Sequence, residues 1–188
     1  FTHLAQLWRT DGTAAGTFAL GPAQQSLRLQ AAVRSSSGYD LLMQADYARA
    51  EIWSSDGTVQ GTTLRASVPL DYGSEATLPL ERAGSHLYFV LPALEGQHLW
   101  VLEDGGLEPR RLQPTTGAGI NSQGSGLAHI GERAIFSGCD AAHGCELWTS
   151  DGTLAGTRLL HDIAPGVSSS NPEGYFTVGS RLYLAADD

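Results

Sequence analysis

The stretch Glu146-Leu147-Trp148-Thr149-Ser150-Asp151-Gly152-Thr153-Leu154-Ala155-Gly156-Thr157-Arg158-Leu159-Leu160 decides the fold, because near copies of it recur upstream. Two are well kept: Gln6-Leu7-Trp8-Arg9-Thr10-Asp11-Gly12-Thr13-Ala14-Ala15-Gly16-Thr17 and Glu51-Ile52-Trp53-Ser54-Ser55-Asp56-Gly57-Thr58-Val59-Gln60-Gly61-Thr62. A degraded one runs His98-Leu99-Trp100-Val101-Leu102-Glu103-Asp104-Gly105-Gly106. Trp8, Trp53, Trp100 and Trp148 are the only tryptophans in the chain, and they are spaced by 45, 47 and 48 residues. Self-similarity at such a period marks either the blades of a propeller or a helical array.

Working outward from the motif separates these two. Leu41-Leu42-Met43-Gln44-Ala45, Leu87-Tyr88-Phe89-Val90-Leu91 and Ala134-Ile135-Phe136-Ser137 occupy matching places before the second, third and fourth copies, and read as short apolar strands. Tyr175-Phe176-Thr177-Val178, the turn Gly179-Ser180 and Leu182-Tyr183-Leu184-Ala185-Ala186 read as a hairpin. No segment keeps a 3.6-residue apolar period over a dozen positions, so a helical solenoid is disfavoured. Each period then holds four strands, with the motif as the third at about residues 6–10, 51–55, 98–102 and 146–150. Ala164-Pro165-Gly166-Val167-Ser168-Ser169-Ser170-Asn171-Pro172 suits a connection between units.

The expected fold is therefore all-β: a β-propeller of four-stranded blades spanning residues 1–188 as one domain. The chain ends after the second strand of one unit and begins just before a third strand, so the termini together would complete one blade, giving four. A longer array, of which these residues are a part, or a larger ring made by two chains, fits the same period. The start at Phe1 reads as a processed or excised piece.

Within the motif, Trp supplies a large apolar side chain at a fixed place on the third strand, as an inter-blade core layer requires; apolar burial contributes ~25 cal/mol per Å². Asp11, Asp56, Asp104 and Asp151 are placed to accept hydrogen bonds from amides two or three residues on, and Gly12, Gly57, Gly105 and Gly152 supply positive φ. A cation site is the rival reading for the Asp residues. Each loop offers one carboxylate, whereas Ca²⁺ takes about six to eight oxygens, so structure is preferred.

Composition narrows the function. The chain of 188 residues has 41% hydrophobic and 16% charged residues, as a folded globular protein does, and a net charge of −9. All eleven basic residues are Arg. An acidic surface repels phosphate backbones, which argues against nucleic-acid binding, and no apolar run approaches the ~20 residues of a membrane-spanning helix. Cys139 and Cys145 flank a short turn before the fourth motif and could approach to the ~3.8 Å Cβ separation of a disulfide, implying an oxidising compartment. The alternative is a metal site with His143 as a third ligand, at a spacing that matches no usual zinc pattern. His3, His86, His98, His129, His143 and His161 show no metal-ligand pairing, and the Gly-rich segment 117–126 lacks the helix and Lys of a phosphate cradle. No cofactor or metal is called for, and no nucleophile motif occurs.

The motif resembles the bacterial ELWxxDGT repeat proteins, whose Glu-Leu-Trp-x-x-Asp-Gly-Thr signature Glu146 to Thr153 match in full. Ala155-Gly156-Thr157, Asp162-Ile163-Ala164-Pro165-Gly166 and Ser169-Ser170-Asn171-Pro172 resemble the longer family pattern. The chain departs from it at Gln6, Ile52 and His98, and in the third copy, which lacks the Thr. The resemblance implies a propeller in a secreted or surface-associated bacterial protein, without a defined activity; periplasmic placement is compatible. Two functions follow as expectations. The first is a non-catalytic interaction or structural module binding a protein or glycan partner through blade loops, as part of a larger assembly. The second is a glycan-active hydrolase, which would need two carboxyl groups about 5–10 Å apart in one pocket.

Overall fold

The computed structural model of the chain describes residues 4–45, 48–70, 78–94, 96–112 and 126–188. They are all-β, without a helix among them, and divide into two compact units, Phe1–Leu78 and Pro79–Asp188. The Gly-rich segment read as a loop at 117–126 lies outside the described residues except for Gly126.

The first unit holds the short strands β1 (Leu4–Ala5), β2 (Trp8–Arg9), β3 (Phe18–Ala19) and β4 (Gln24–Gln25), then β5 (Arg28–Ser35), β6 (Gly38–Ala45), β7 (Arg49–Ser55) and β8 (Thr63–Pro69). The last four form an antiparallel sheet in sequence order, while β2 pairs with β3 and β1 with β4. Side chains alternate between faces, and both faces of β6 are buried. Leu41, Met43 and Trp53 pack with Leu7 and Leu27 on one face. On the other, Asp40 accepts from Ser54 Oγ at 3.1 Å and from the Arg65 guanidinium at 3.0 Å, so a buried charge is paired.

The second unit repeats the four-stranded pattern twice. Strands β9 (Leu80–Ala83), β10 (His86–Ala93), β11 (Gly96–Glu103) and β12 (Arg110–Leu112) form one sheet. Strands β13 (Leu127–Ile130), β14 (Arg133–Asp140), β15 (Gly144–Ser150) and β16 (Arg158–His161) form the next, and β17 (Glu173–Val178) with β18 (Arg181–Ala185) is a hairpin. Tyr88, Val90, Leu99 and Val101 of the first sheet meet Ala134, Phe136 and Trp148 of the second in one buried cluster. The inner strands follow one another at the repeat period. His129 Nδ1 lies 2.8 Å from Glu81 Oε1, 48 residues back, and Thr177 Oγ1 reaches the His129 carbonyl at 3.5 Å, again 48 residues apart.

The second, third and fourth copies of the motif lie on β7, β11 and β15, each third in a four-stranded meander, whereas the first lies on β2 of a two-stranded ribbon. The four tryptophans are not equivalent. Trp53 and Trp148 are buried opposite Leu41 and Phe136, and Trp100 is half-buried and stacks on Phe89 at 6.5 Å between centroids. Trp8, expected in a core layer, is 57% exposed, because its strand belongs to a two-stranded ribbon that covers it poorly. In the second and fourth copies a bulge shifts the register beside the Trp, between Ile52 and Trp53 and between Leu147 and Trp148. The degraded copy pairs without one, Trp100 opposite Arg111.

Phe136 is fully buried at the centre of the inter-sheet cluster. Phe136→Ala should destabilise the second unit by about 3–5 kcal/mol, read as a lower denaturant midpoint followed by Trp fluorescence; an unchanged midpoint would rule out this packing.

Candidate functional site

The side chains that recur in the sequence come together in the connection between the third and fourth strands. In the β15–β16 loop, Asp151 Oδ1 accepts from the Thr153 amide at 3.0 Å and from Thr153 Oγ1 at 2.8 Å. Thr153 Oγ1 accepts from the Gly156 amide at 2.9 Å, and Thr157 Oγ1 donates to the Thr153 carbonyl at 2.6 Å. Ser150 Oγ lies 2.8 Å from Thr157 Oγ1 and accepts from the Gly152 amide at 3.1 Å. The same six contacts recur around Asp56, with Ser55, Thr58, Gly61 and Thr62. They recur again around Asp11, with Thr10, Thr13, Gly16 and Thr17.

This geometry explains the motif residue by residue. Gly12, Gly57 and Gly152 have φ of 89°, 86° and 88°, which a side chain would strain. The second glycine is required for space, since a Cβ on Gly16, Gly61 or Gly156 would run into the carboxyl of Asp11, Asp56 or Asp151. Hydrogen bonds from the Thr side chain and then the Thr amide hold all three Asp carboxyls below the usual carboxylate range. Asp104 is held differently. Arg82 reaches its Oδ1 at 2.6 Å, and a tight turn closes through the Gly106 amide on the Glu103 carbonyl at 2.9 Å.

A second junction forms at the tip of the β14–β15 hairpin. Cys139 and Cys145 are direct cross-strand partners joined by a disulfide, which excludes the alternative in which their sulfurs bind a metal. Asp140 accepts from the amides of Ala142 and His143 at 2.8 and 2.7 Å and lies 2.9 Å from His143 Nδ1. Burial disfavours ionisation of Asp140, but the His143 and Ala142 hydrogen bonds outweigh it and lower its pKa; the Asp140 contact in turn raises that of His143. The hairpin also holds the segment after β16. Fully buried Glu146 accepts from the Ile163 amide at 2.8 Å, the Ser170 amide at 2.8 Å and Ser170 Oγ at 2.6 Å. The Cys145 carbonyl accepts from Ser170 and Asn171, and its amide donates to Ser169 Oγ. The leading Glu of the motif is thus the anchor of the Asp162–Asn171 connection, a role the sequence reading missed. A carboxylate two residues before a buried Trp on the same strand face was the available signal. Glu51 plays a different part and accepts from Trp53 Nε1 at 2.9 Å.

Between the sheets, the motif glycines accept from arginines of the preceding strands: Arg9 reaches the Gly57 carbonyl at 2.9 Å and Arg110 the Gly152 carbonyl at 3.5 Å. Beside Gly152, Ser85, His86, Glu132, Arg133 and Asp151 line an open cleft of about 150 Å³. It brings two carboxyl groups together, but that of Asp151 is bonded to Thr153 and lies 4.0 Å from Arg133. Among the described residues no group of three His, Cys, Asp or Glu side chains is placed to hold a metal ion. No described helix is long and apolar enough to cross a membrane. Comparison with family models, curated proteins and solved structures found no match to the chain.

Two measurements check these junctions. Glu146→Ala strands three donors, so it should cost on the order of 3 kcal/mol and raise amide exchange across Ile163 to Asn171, with Glu146→Gln milder; unchanged exchange there would contradict the anchor. The Asp140–His143 pair sets a pH window. The raised pKa of His143 makes its contribution complete below the ordinary value of 6.5 and lost as pH rises through the folded value. The lowered pKa of Asp140 makes its contribution present above 3.8 and lost as pH falls through the folded value. An NMR titration should therefore place His143 above an unstructured His, and His143→Ala should flatten the decline of Tm on the alkaline side.

Proposed function

We propose that the chain is a non-catalytic interaction module built as a β-propeller, related to the ELWxxDGT repeat proteins. The successive four-stranded sheets are its blades. The observation that carries the non-catalytic reading is where the recurrent acidic groups are spent. Asp11, Asp56 and Asp151 bond to their own loops and Glu146 to the connecting segment, so the residues that define the repeat maintain a scaffold. Binding is left to the residues that vary between copies, such as Ser85, His86, Glu132 and Arg133 around the cleft.

The disulfide supports placement in an oxidising compartment, hence a secreted or surface-exposed protein whose partner is a protein or a glycan. The acidic balance disfavours nucleic acid.

The test is a screen of the purified protein against a glycan array and against surface proteins, followed by Glu132→Gln and Arg133→Gln. The expected result is saturable binding without turnover, weakened at least several-fold by one of these substitutions while Tm is kept. Release of reducing sugar from any bound glycan, abolished by Glu132→Gln, would overturn the reading in favour of a hydrolase.

A further inference from the structure

The chain contains four Asp-Gly bonds, at 11–12, 56–57, 104–105 and 151–152. Such a bond is the most prone of Asp-containing sequences to rearrange, because Gly leaves the following amide nitrogen unhindered. The nitrogen attacks the side-chain carbonyl carbon in its protonated carboxyl form. The N–Cγ bond forms and water leaves, giving a succinimide. Water then adds to the main-chain carbonyl of the Asp, the original C–N bond breaks, and the chain continues through Cβ and Cγ as isoaspartate. One water leaves and one returns, so the mass is unchanged.

Three of the four bonds are protected at both reacting groups. At Asp11, Asp56 and Asp151 one carboxyl oxygen is held by the amide and the hydroxyl of Thr13, Thr58 or Thr153, which turns it away from the next amide and favours the unreactive carboxylate. The nucleophile is occupied too, as the amides of Gly12, Gly57 and Gly152 donate to Thr10, Ser55 and Ser150. In the degraded copy neither the Thr clamp nor the hydroxyl acceptor is present, and Arg82, 2.6 Å from Asp104 Oδ1, is the contact that stands in for the clamp. Gly106 stands where the clamping Thr would be, and Glu103, bonded to Arg110 at 2.7 Å, stands where the accepting hydroxyl would be. Among the described residues the Asp104 carboxyl bonds only to Arg82, and the side chain is half exposed.

We propose that Asp104 is the site at which this protein undergoes aspartate isomerisation, ahead of its other three Asp-Gly bonds. The product inserts one carbon into the main chain of the β11–β12 turn and moves the carboxylate away from Arg82.

The test is prolonged incubation of the native protein at mildly acidic pH, then digestion with endoproteinase Asp-N, which cuts before Asp and not before isoaspartate, and peptide mapping by mass. Cleavage before residue 104 should be lost several-fold faster than before 11, 56 or 151, at unchanged mass. Equal loss at all four bonds, or earlier loss at another, would overturn the proposal. In Thr58→Val, loss at 56 should rise toward that at 104 while 11 and 151 serve as internal controls; no rise at 56 would refute protection by the clamp.

Discussion

The structure depends on one constraint: its central strands are buried on both faces. Every residue of β10 from Leu87 to Ala93 is buried, as is most of β6 and β14. A meander with one wet face could stand alone as a layer, but these sheets must be covered on both sides. In the second unit the cover is the neighbouring repeat, and the 48-residue steps from Glu81 to His129 to Thr177 record that stacking.

Sheets that stack face to face leave little room for their connections, and the loop chemistry answers to that. The Asp-Gly-Thr-x-x-Gly-Thr loop satisfies its polar groups internally, through the acidic side chain, two hydroxyl residues and a glycine whose missing Cβ makes space for the carboxyl. Its side chains close on one another in three copies, and the Gly57 and Gly152 carbonyls are what the loop offers to arginines of the preceding strands. At the start of the motif Glu51 meets Trp53, Glu146 meets Ser170, and a buried His98 stands in the third copy.

The repeat period, the strand positions and the disulfide were legible because each rests on local spacing. Short apolar runs placed β6, β10 and β14, and the short interval between Cys139 and Cys145 set them opposite each other. The Asp-to-Thr clamp was half legible, as an acceptor for amides, without the hydroxyl relay through Thr153 and Thr157. What spacing could not reveal depends on long-range placement. Nothing local distinguishes Trp8, largely exposed, from Trp148, buried against Phe136. Glu146 looked like one consensus letter among several until the connection returned to it from 24 residues away. His143 was weighed as a third metal ligand beside the two cysteines, and its pairing with Asp140 as a turn lock was not read.

The junction at Cys145 also has a mechanical meaning. Tension entering from β17 reaches the chain at Ser170 and Asn171, whose amides are tied to the Cys145 carbonyl and to Glu146. Strands of a hairpin usually separate from the loaded end one hydrogen bond at a time. Here the loaded end is a closed covalent ring, Cys139 to Cys145, so the hairpin cannot unzip from its tip and the load passes into β14 and β15 together. The connection between sheets is thereby braced at the point where a repeat array would otherwise be easiest to pull apart.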